Sequence, residues 1–170
     1  LHLSLRRQRQ MCIRDRVYSD IKKRAADLNL IDIEQVYTIT KDLDGKSLEH
    51  LDDLPESVKF ISDDGRGVDN DFIMYEAMLK AKDLGVNMSL HEEVRNVSKF
   101  DYEIAEDAMT IRDCYYSYKL NVPIHLAHVS TRGAITAIKY FKDLGAPITC
   151  EVTPHHLKFS DKSKKEYRVN

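Results

Sequence analysis

Carboxylate and imidazole side chains recur along this sequence directly after short apolar runs. Asp63 and Asp64 follow VKFIS, His91 follows VNMSL, and His128 follows VPIHLA. Asp64 and His91 are 27 positions apart, and His91 and His128 are 37 apart, so each interval has room for one loop, one helix and one strand. Imidazole and carboxylate form a donor set that suits zinc or a similar divalent ion. The spacing therefore predicts a metal site at the ends of successive strands.

Neighbouring side chains on an extended chain diverge, and this limits which of these residues can share a site. His125 and His128 are three positions apart, so strand alternation predicts that they face opposite sides of the sheet. We favour His128, the later of the two, as the ligand. Asp63 and Asp64 are adjacent, so one is expected to reach the metal while the other braces the loop.

Two further pairs of residues could bind or orient a metal ion, but a structural or solvated role explains them more simply. His155 and His156 are adjacent and diverge, which favours a hydrogen-bonded structural role over chelation. Glu92 and Glu93 directly follow His91 and are candidates for orienting the ligands. A solvated position is the favoured interpretation for both glutamates.

The elements that must position these residues alternate regularly from Val17 onward. Stretches with helical periodicity alternate with apolar runs, which predicts βα units around a parallel sheet. Asn70 or Asp71 is expected to cap one helix that ends at Gly85, and Ser130 or Thr131 is expected to cap another. The predicted strands are VYTIT, VKFIS, VNMSL, VPIHLA and PITCEV. Local pattern alone leaves open a doubly wound sheet or part of an eight-stranded barrel.

One long helix carries an apolar stripe with alternating spacings of four and three residues. The stripe contains Ile104, Ala108, Ile111, Tyr115 and Tyr118. Such spacing places all five side chains on one face of a helix. The sequence therefore predicts that this face packs into the core.

Composition excludes several classes of protein. The chain has 170 residues, is 42% hydrophobic, and has no apolar run near the roughly 18 residues of a membrane span. A formal net charge of −2 gives no general electrostatic basis for binding nucleic acid or an anionic membrane. Cys12, Cys114 and Cys150 form neither a CxxC pair nor an even disulfide set, so we expect a reducing compartment, the cytoplasm.

The first sixteen residues differ from the rest of the chain. They contain five arginines and a single acidic residue, Asp15, and lack the apolar segment of a secretory signal. We interpret residues 1–16 as a non-native or disordered leader. Residues 17–170 are then expected to form the folded domain.

A series of longer motifs follows a fixed order over roughly residues 17–170: FISDDGRGV, SLHEE, an AED to IRD helix, HLAHVST, ITCEVTPHHL and YRVN. In sequence and order these motifs resemble the bacterial dihydroorotases, a family of metal-dependent amidohydrolases. The resemblance implies an α/β fold, a partial (β/α)8 TIM barrel that comprises about strands 3 to 7. It also implies a hydrolase that interconverts dihydroorotate and N-carbamoyl-L-aspartate in pyrimidine biosynthesis.

The same resemblance assigns roles to individual residues. Asp64, His91 and His128 match the family's metal ligands on three successive strands, and Asn170 matches an asparagine that contacts substrate. The implied cofactor is one or two zinc ions. Position 64 is an aspartate, whereas the related cyclic amidases resemble one another in having a carboxylated lysine at the corresponding place. By this resemblance, the aspartate favours dihydroorotase over a hydantoinase or allantoinase.

Some family motifs have no counterpart in this chain. The HxHxR motif of the first strand, the asparagine of the second strand and the final DHAPH motif are absent. The aspartate of that last motif is the family's general acid and base, so no catalytic residue of that kind is assigned here. The chain is therefore expected to be an internal fragment that is inactive by itself.

Several functional alternatives remain open at this stage. One is another cyclic amidohydrolase, and another is a non-catalytic dihydroorotase-like subunit that scaffolds aspartate carbamoyltransferase. A homo-oligomer also stays open, and the expected substrate is a small molecule. A doubly wound phosphate-binding protein is disfavoured, because no strand is followed by GxGxxG or GxxxxGK[ST].

Overall fold

Four short parallel strands form the centre of the computed structural model, which describes residues 14–30, 32–34 and 36–158. The strands lie in chain order, β1 beside β2, β2 beside β3 and β3 beside β4. Their bounds are Phe60–Ile61 for β1, Asn87–Leu90 for β2, Ile124–Leu126 for β3 and Ile148–Cys150 for β4. A doubly wound sheet reverses its strand order at a switch point, whereas barrel strands follow in sequence. The order therefore confirms the predicted α/β fold of the partial-barrel type.

Helices precede the sheet, connect its strands and follow its last strand. Their bounds are Arg14–Leu28 for α1, Asp71–Leu84 for α2, Arg95–Ser98 for α3, Tyr102–Leu120 for α4, Arg132–Asp143 for α5 and Pro154–Lys158 for α6. Short 3₁₀ helices occupy Lys41–Leu43 and Glu49–Asp53. Within the described ranges, no helix combines the length and the apolar character that a membrane span requires.

The first predicted strand, VYTIT, forms less β-structure than any other predicted strand. Tyr37 forms a single parallel bridge with Ile61 and no longer ladder. The stretch after it is instead tied to the end of β1 by hydrogen bonds from the backbone N–H groups of Ile39 and Thr40 to the Asp63 carboxylate. Five strands were expected, and the described residues contain four strands and this bridge.

The two faces of the sheet differ in burial. Met88, Ile124 and Ile148 stand in register across β2, β3 and β4, and all three are buried against the helices. The opposite face carries His125 and Thr149, which are less buried. Strand alternation thus directs one set of side chains into the core and the other set to the more open face.

Two predicted helix caps are confirmed by hydrogen bonds. The Asn70 carboxamide oxygen accepts from the N–H groups of Phe72 and Ile73 at 3.0 and 3.1 Å, which begins α2. Gly85 ends that helix in the left-handed conformation, with φ of 68°. Thr131, rather than Ser130, caps α5 by accepting from Ala134 N–H at 3.1 Å.

The predicted core face of α4 is wrong. Ile104, Ile111 and Tyr115 are 57, 50 and 46% exposed, although they lie on the apolar stripe. The buried face instead includes Asp113 and Ser117. These polar groups are satisfied inside the protein, since Arg112 pairs with Asp113 and the Ser117 hydroxyl donates to the Val122 carbonyl oxygen at 2.8 Å. Apolar periodicity does not register polar residues whose hydrogen bonds let them be buried, so it misidentified the buried face here.

Gly67 brings the loop after β1 close to the chain that follows β2. Its φ is +60°, and an added Cβ would lie 2.9 Å from the His91 carbonyl oxygen and 3.2 Å from Met109 Sδ. Gly85 also has a positive φ but has no atom within 4 Å of an added Cβ. The two glycines therefore share a conformational requirement and differ in steric space.

We expect Gly67→Ala to lower the free energy of unfolding more than Gly85→Ala. Gly85→Ala should cost about 1 kcal/mol for left-handed alanine, and Gly67→Ala should cost about 1 to 2 kcal/mol more because a backbone oxygen must move. Urea denaturation of the chain and both variants measures the difference. Equal losses would show that the close approach to His91 is not a constraint.

Candidate metal centre

Asp63 is a structural brace at the carboxyl end of β1. It is 2% exposed, and Oδ1 accepts from the N–H groups of Ile39 and Thr40 at 2.8 and 3.1 Å. The Thr40 hydroxyl also donates to Oδ2. Burial raises the pKa of Asp63 to about 6, although these hydrogen bonds act in the opposite direction. Asp63 thereby ties residues 39–40 to the end of the strand.

Asp64 is the aspartate that reaches the site, as the divergence of adjacent side chains predicted for one of the two. Its N–H donates to the Ser62 hydroxyl at 3.1 Å, within the turn that follows β1. The side chain is 66% exposed. Its Oδ1 lies 3.7 Å from His91 Nδ1 and 3.6 Å from His128 Nε2.

His91 follows β2 directly and is 7% exposed. Its Nδ1 lies 3.0 Å from His128 Nε2, and its Nε2 lies 3.1 Å from Glu93 Oε2. Since a carboxylate is an acceptor, Glu93 favours the tautomer that carries hydrogen on Nε2. In that tautomer the Nδ1 lone pair faces Asp64 and His128.

His128 lies two residues beyond the end of β3, in a loop and with φ of +42°. The strand-alternation argument therefore does not extend to His128, and the prediction that His125 and His128 occupy opposite faces of one strand is wrong. His125 is on the more open face of the sheet, where its Nδ1 is 2.9 Å from the Thr149 hydroxyl oxygen. The contact with Asp64 raises the pKa of His128, and burial acts in the opposite direction.

The ligand atoms of Asp64, His91 and His128 all lie within 4.8 Å of one another, the one such group of three found among the described residues. For donors at about 2.0–2.1 Å from a tetrahedral zinc ion, neighbouring donor atoms are about 3.3 Å apart. The observed separations of 3.0, 3.6 and 3.7 Å lie around that value. Two imidazole nitrogens and one carboxylate oxygen thus fit zinc in chemistry and in spacing.

The expectation that Glu92 and Glu93 are solvated is wrong. Glu93 bonds to His91, as described above, and Glu92 is 6% exposed. Burial and repulsion by the Asp113 carboxylate hold the pKa of Glu92 well above its usual range. Arg112 donates to Asp113 through two nitrogens at 2.7 and 3.1 Å, which compensates the burial of that carboxylate.

The remaining candidate residues lie elsewhere. His155 and His156 are on α6, outside the ligand group, and His156 Nδ1 accepts from the Thr153 N–H at 3.3 Å. Cys114 is buried and Cys150 is exposed, both as free thiols. Asn170 lies outside the described residues, as does Cys12.

A shallow pocket adjoins the ligand group, lined by His91, Glu92, Glu93, Tyr102, Glu106, His128 and Ser130. Sequence reasoning did not single out Glu106, although it lies in the AED motif of the helix before β3. The signal that could have identified it is its position in a motif rather than its spacing from the histidines.

Comparison with curated proteins finds bacterial relatives over most of the chain. The dihydroorotase of Clostridium botulinum (strain Eklund 17B / Type B) is 43% identical over 162 residues, which is 94% of this chain and 40% of the relative. The dihydroorotase of Geobacter sulfurreducens is 33% identical over 171 residues, which is 91% of this chain and 40% of the relative. The chain thus spans about 40% of the length of the curated relatives that it matches. No protein-family profile matches it.

Comparison with solved structures identifies the fold. A D-hydantoinase aligns with a TM-score of 0.63 and 19% identity, over 75% of this chain and 34% of that one. Dihydropyrimidinase from Brevibacillus agri NCHU1002 aligns with a TM-score of 0.64 and 17% identity, over 76% and 33%. At this identity the likeness concerns the fold alone, and it agrees with the sequential parallel sheet.

We expect the adjacent aspartates to respond differently to substitution by alanine. Asp63→Ala should lower the free energy of unfolding by about 2–4 kcal/mol, because two buried N–H groups lose a charged acceptor. Asp64→Ala should change it by less than about 1 kcal/mol, since that side chain is exposed. Urea denaturation of both variants measures the contrast, and similar losses would contradict the division of roles.

Proposed function

The chain is homologous to bacterial dihydroorotases over about nine tenths of its length, and on this premise we propose that the whole protein interconverts dihydroorotate and N-carbamoyl-L-aspartate. The observation that carries the proposal is the group of Asp64, His91 and His128, whose donor atoms converge at the ends of three adjacent strands. Convergent metal donors within a segment 43% identical to a dihydroorotase support that reaction more directly than the fold does.

Opening an unstrained cyclic amide requires activation of both partners, because the carbonyl is a poor electrophile and neutral water is a poor nucleophile. When bound, zinc supplies Lewis acidity at the carbonyl oxygen and lowers the pKa of water. We assign the binding of zinc to His91 Nδ1, His128 Nε2 and the carboxylate of Asp64. The fit of these donors, described above, supports zinc over ions that prefer only oxygen ligands.

The other residues of the site hold these ligands in place. Glu93 accepts from His91 Nε2–H and so keeps the Nδ1 lone pair directed at the proposed zinc position. Asp63 holds the backbone next to Asp64. Arg112 and Asp113 form an ion pair whose charges act on Glu92, the residue that follows His91.

We prefer dihydroorotase over hydantoinase because the chain is similar to dihydroorotases in sequence and to hydantoinases in fold. The D-hydantoinase and dihydropyrimidinase structures described above share 19 and 17% identity with the chain and indicate a fold that supports several chemistries. The dihydroorotases share up to 43% identity over nearly the whole chain. The cytoplasm and a small-molecule substrate are part of this proposal. Substrate contact by Asn170, the residue range 17–170 for the domain, and association with aspartate carbamoyltransferase or further copies stay predictions.

We expect the chain to bind Co²⁺, a spectroscopic substitute for zinc, through this group. His128→Ala and Asp64→Asn should each weaken Co²⁺ affinity by at least about tenfold, because one of three donors is lost. Visible absorption during a Co²⁺ titration measures the affinity.

His125→Ala is the matched control for this titration, since His125 lies on the preceding strand and outside the ligand group. We expect its affinity to equal that of the unsubstituted chain. Loss of binding in the His125 variant alone would place the ion on the open sheet face and contradict the proposed ligands.

We expect the segment to support catalysis in a complete enzyme. A chimera in which residues 17–170 replace the matching part of the Clostridium botulinum relative should cyclise N-carbamoyl-L-aspartate. His128→Ala in that chimera should lower kcat/KM by at least about a hundredfold, since even a 1 Å misplacement of a reacting group has that effect. Circular dichroism should remain unchanged. A chimera that folds, binds zinc and acts only on a hydantoin would contradict the proposed substrate.

A further inference from the structure

The loop that carries His128 is held by a carboxylate from α4. Glu106 Oε1 accepts from the Ser130 N–H at 2.7 Å and from the Thr131 N–H at 3.0 Å. The Ser130 hydroxyl donates to Oε2 of the same side chain. Both oxygens of Glu106 are thus engaged by residues 130–131, which directly follow the histidine and Val129.

Asp107, the residue next to Glu106, contacts the start of α5. Asp107 Oδ1 accepts from the Thr131 hydroxyl at 2.5 Å, and that hydroxyl caps α5 through Ala134. Asp107 fits against the first turn of α5 because residue 133 is glycine, where an added Cβ would lie 1.9 Å from Asp107 Oδ2. Asp107 therefore secures the helix, while Glu106 secures the loop before it.

Glu106 completes a set of anchors on both sides of His128. The Ala127 N–H donates to the Leu90 carbonyl oxygen at 3.0 Å, and the Val129 N–H donates to the Glu151 carbonyl oxygen at 2.9 Å. His128 lies between these two bonds with a positive φ, a conformation that non-glycine residues retain only when their surroundings impose it. Glu106 fixes residues 130–131, which follow Val129, and it lines the same pocket as His91 and His128.

We propose that Glu106 is a positioning residue for metal binding, whose hydrogen bonds to residues 130–131 hold His128 Nε2 toward Asp64 and His91. This inference rests on the metal site of the proposed function. Glu106 acts on His128 by holding the loop that carries it. This role requires both the length and the two acceptor oxygens of the glutamate side chain.

The test compares Glu106→Gln, which loses one acceptor and the charge, with Glu106→Asp, which keeps the charge but shortens the side chain. Glu103→Gln is the control, because Glu103 is exposed on the first turn of the same helix and its substitution makes the same change in charge. Co²⁺ titration of the whole chain gives affinity. Hydrogen exchange read by mass spectrometry gives the protection of residues 128–131.

We expect both Glu106 variants to bind Co²⁺ about tenfold or more weakly and to exchange faster at residues 128–131, as is typical when a partner of a metal ligand is lost. The Glu103 variant should match the parent in both measurements. Retained affinity in Glu106→Asp would indicate an effect of charge alone and overturn the proposal. Faster exchange throughout the sheet in both Glu106 variants would identify a global structural role and also overturn it.

The same experiment separates this inference from the proposed function. If His128→Ala loses Co²⁺ while both Glu106 variants keep it, the metal site stands and the positioning role fails. If His128→Ala binds as the parent does, the ligand assignment fails and the positioning role fails with it.

Discussion

The common direction of the four strands is the constraint on which the site depends. Because β1, β2 and β3 are parallel and adjacent, their carboxyl ends meet at one edge of the sheet. Asp64, His91 and His128 follow those ends, so residues separated by 27 and 37 positions come within 3.0 to 3.7 Å of one another. An antiparallel neighbour would send its following loop to the opposite edge.

Carboxylates with different degrees of burial hold the loops at that edge. Asp63 and Glu106 each accept several hydrogen bonds from backbone N–H groups, and Asp113 pairs with Arg112. Fully buried carboxylates such as Asp63 and Asp113 are retained only where donors compensate the loss of water. Asp64, more exposed than any of these, keeps its carboxylate available to the two histidines.

The geometry and the comparisons contribute different parts of the functional conclusion. The relatives connect nearly the whole chain to dihydroorotases, and the chain spans about 40% of their length. The structure adds the convergence of three donors and the hydrogen bonds of Glu93 and Glu106 that orient two of them. The proposed zinc chemistry rests on this convergence, since a shared fold alone is compatible with many reactions.

The sequence by itself determined the α/β class, the ends of α2 and the three candidate ligands, because strand-end position, helix caps and motif order are local signals. It did not determine which face of α4 is buried, where Ile104 and Ile111 proved exposed and Asp113 buried. It also assigned Glu92 and Glu93 to solvent and treated His128 as part of a strand. Those properties depend on how the helices pack on the sheet and on where β3 ends, which no local pattern specifies. Only the tertiary structure decides them, because a buried polar group is stable only where its partners are present.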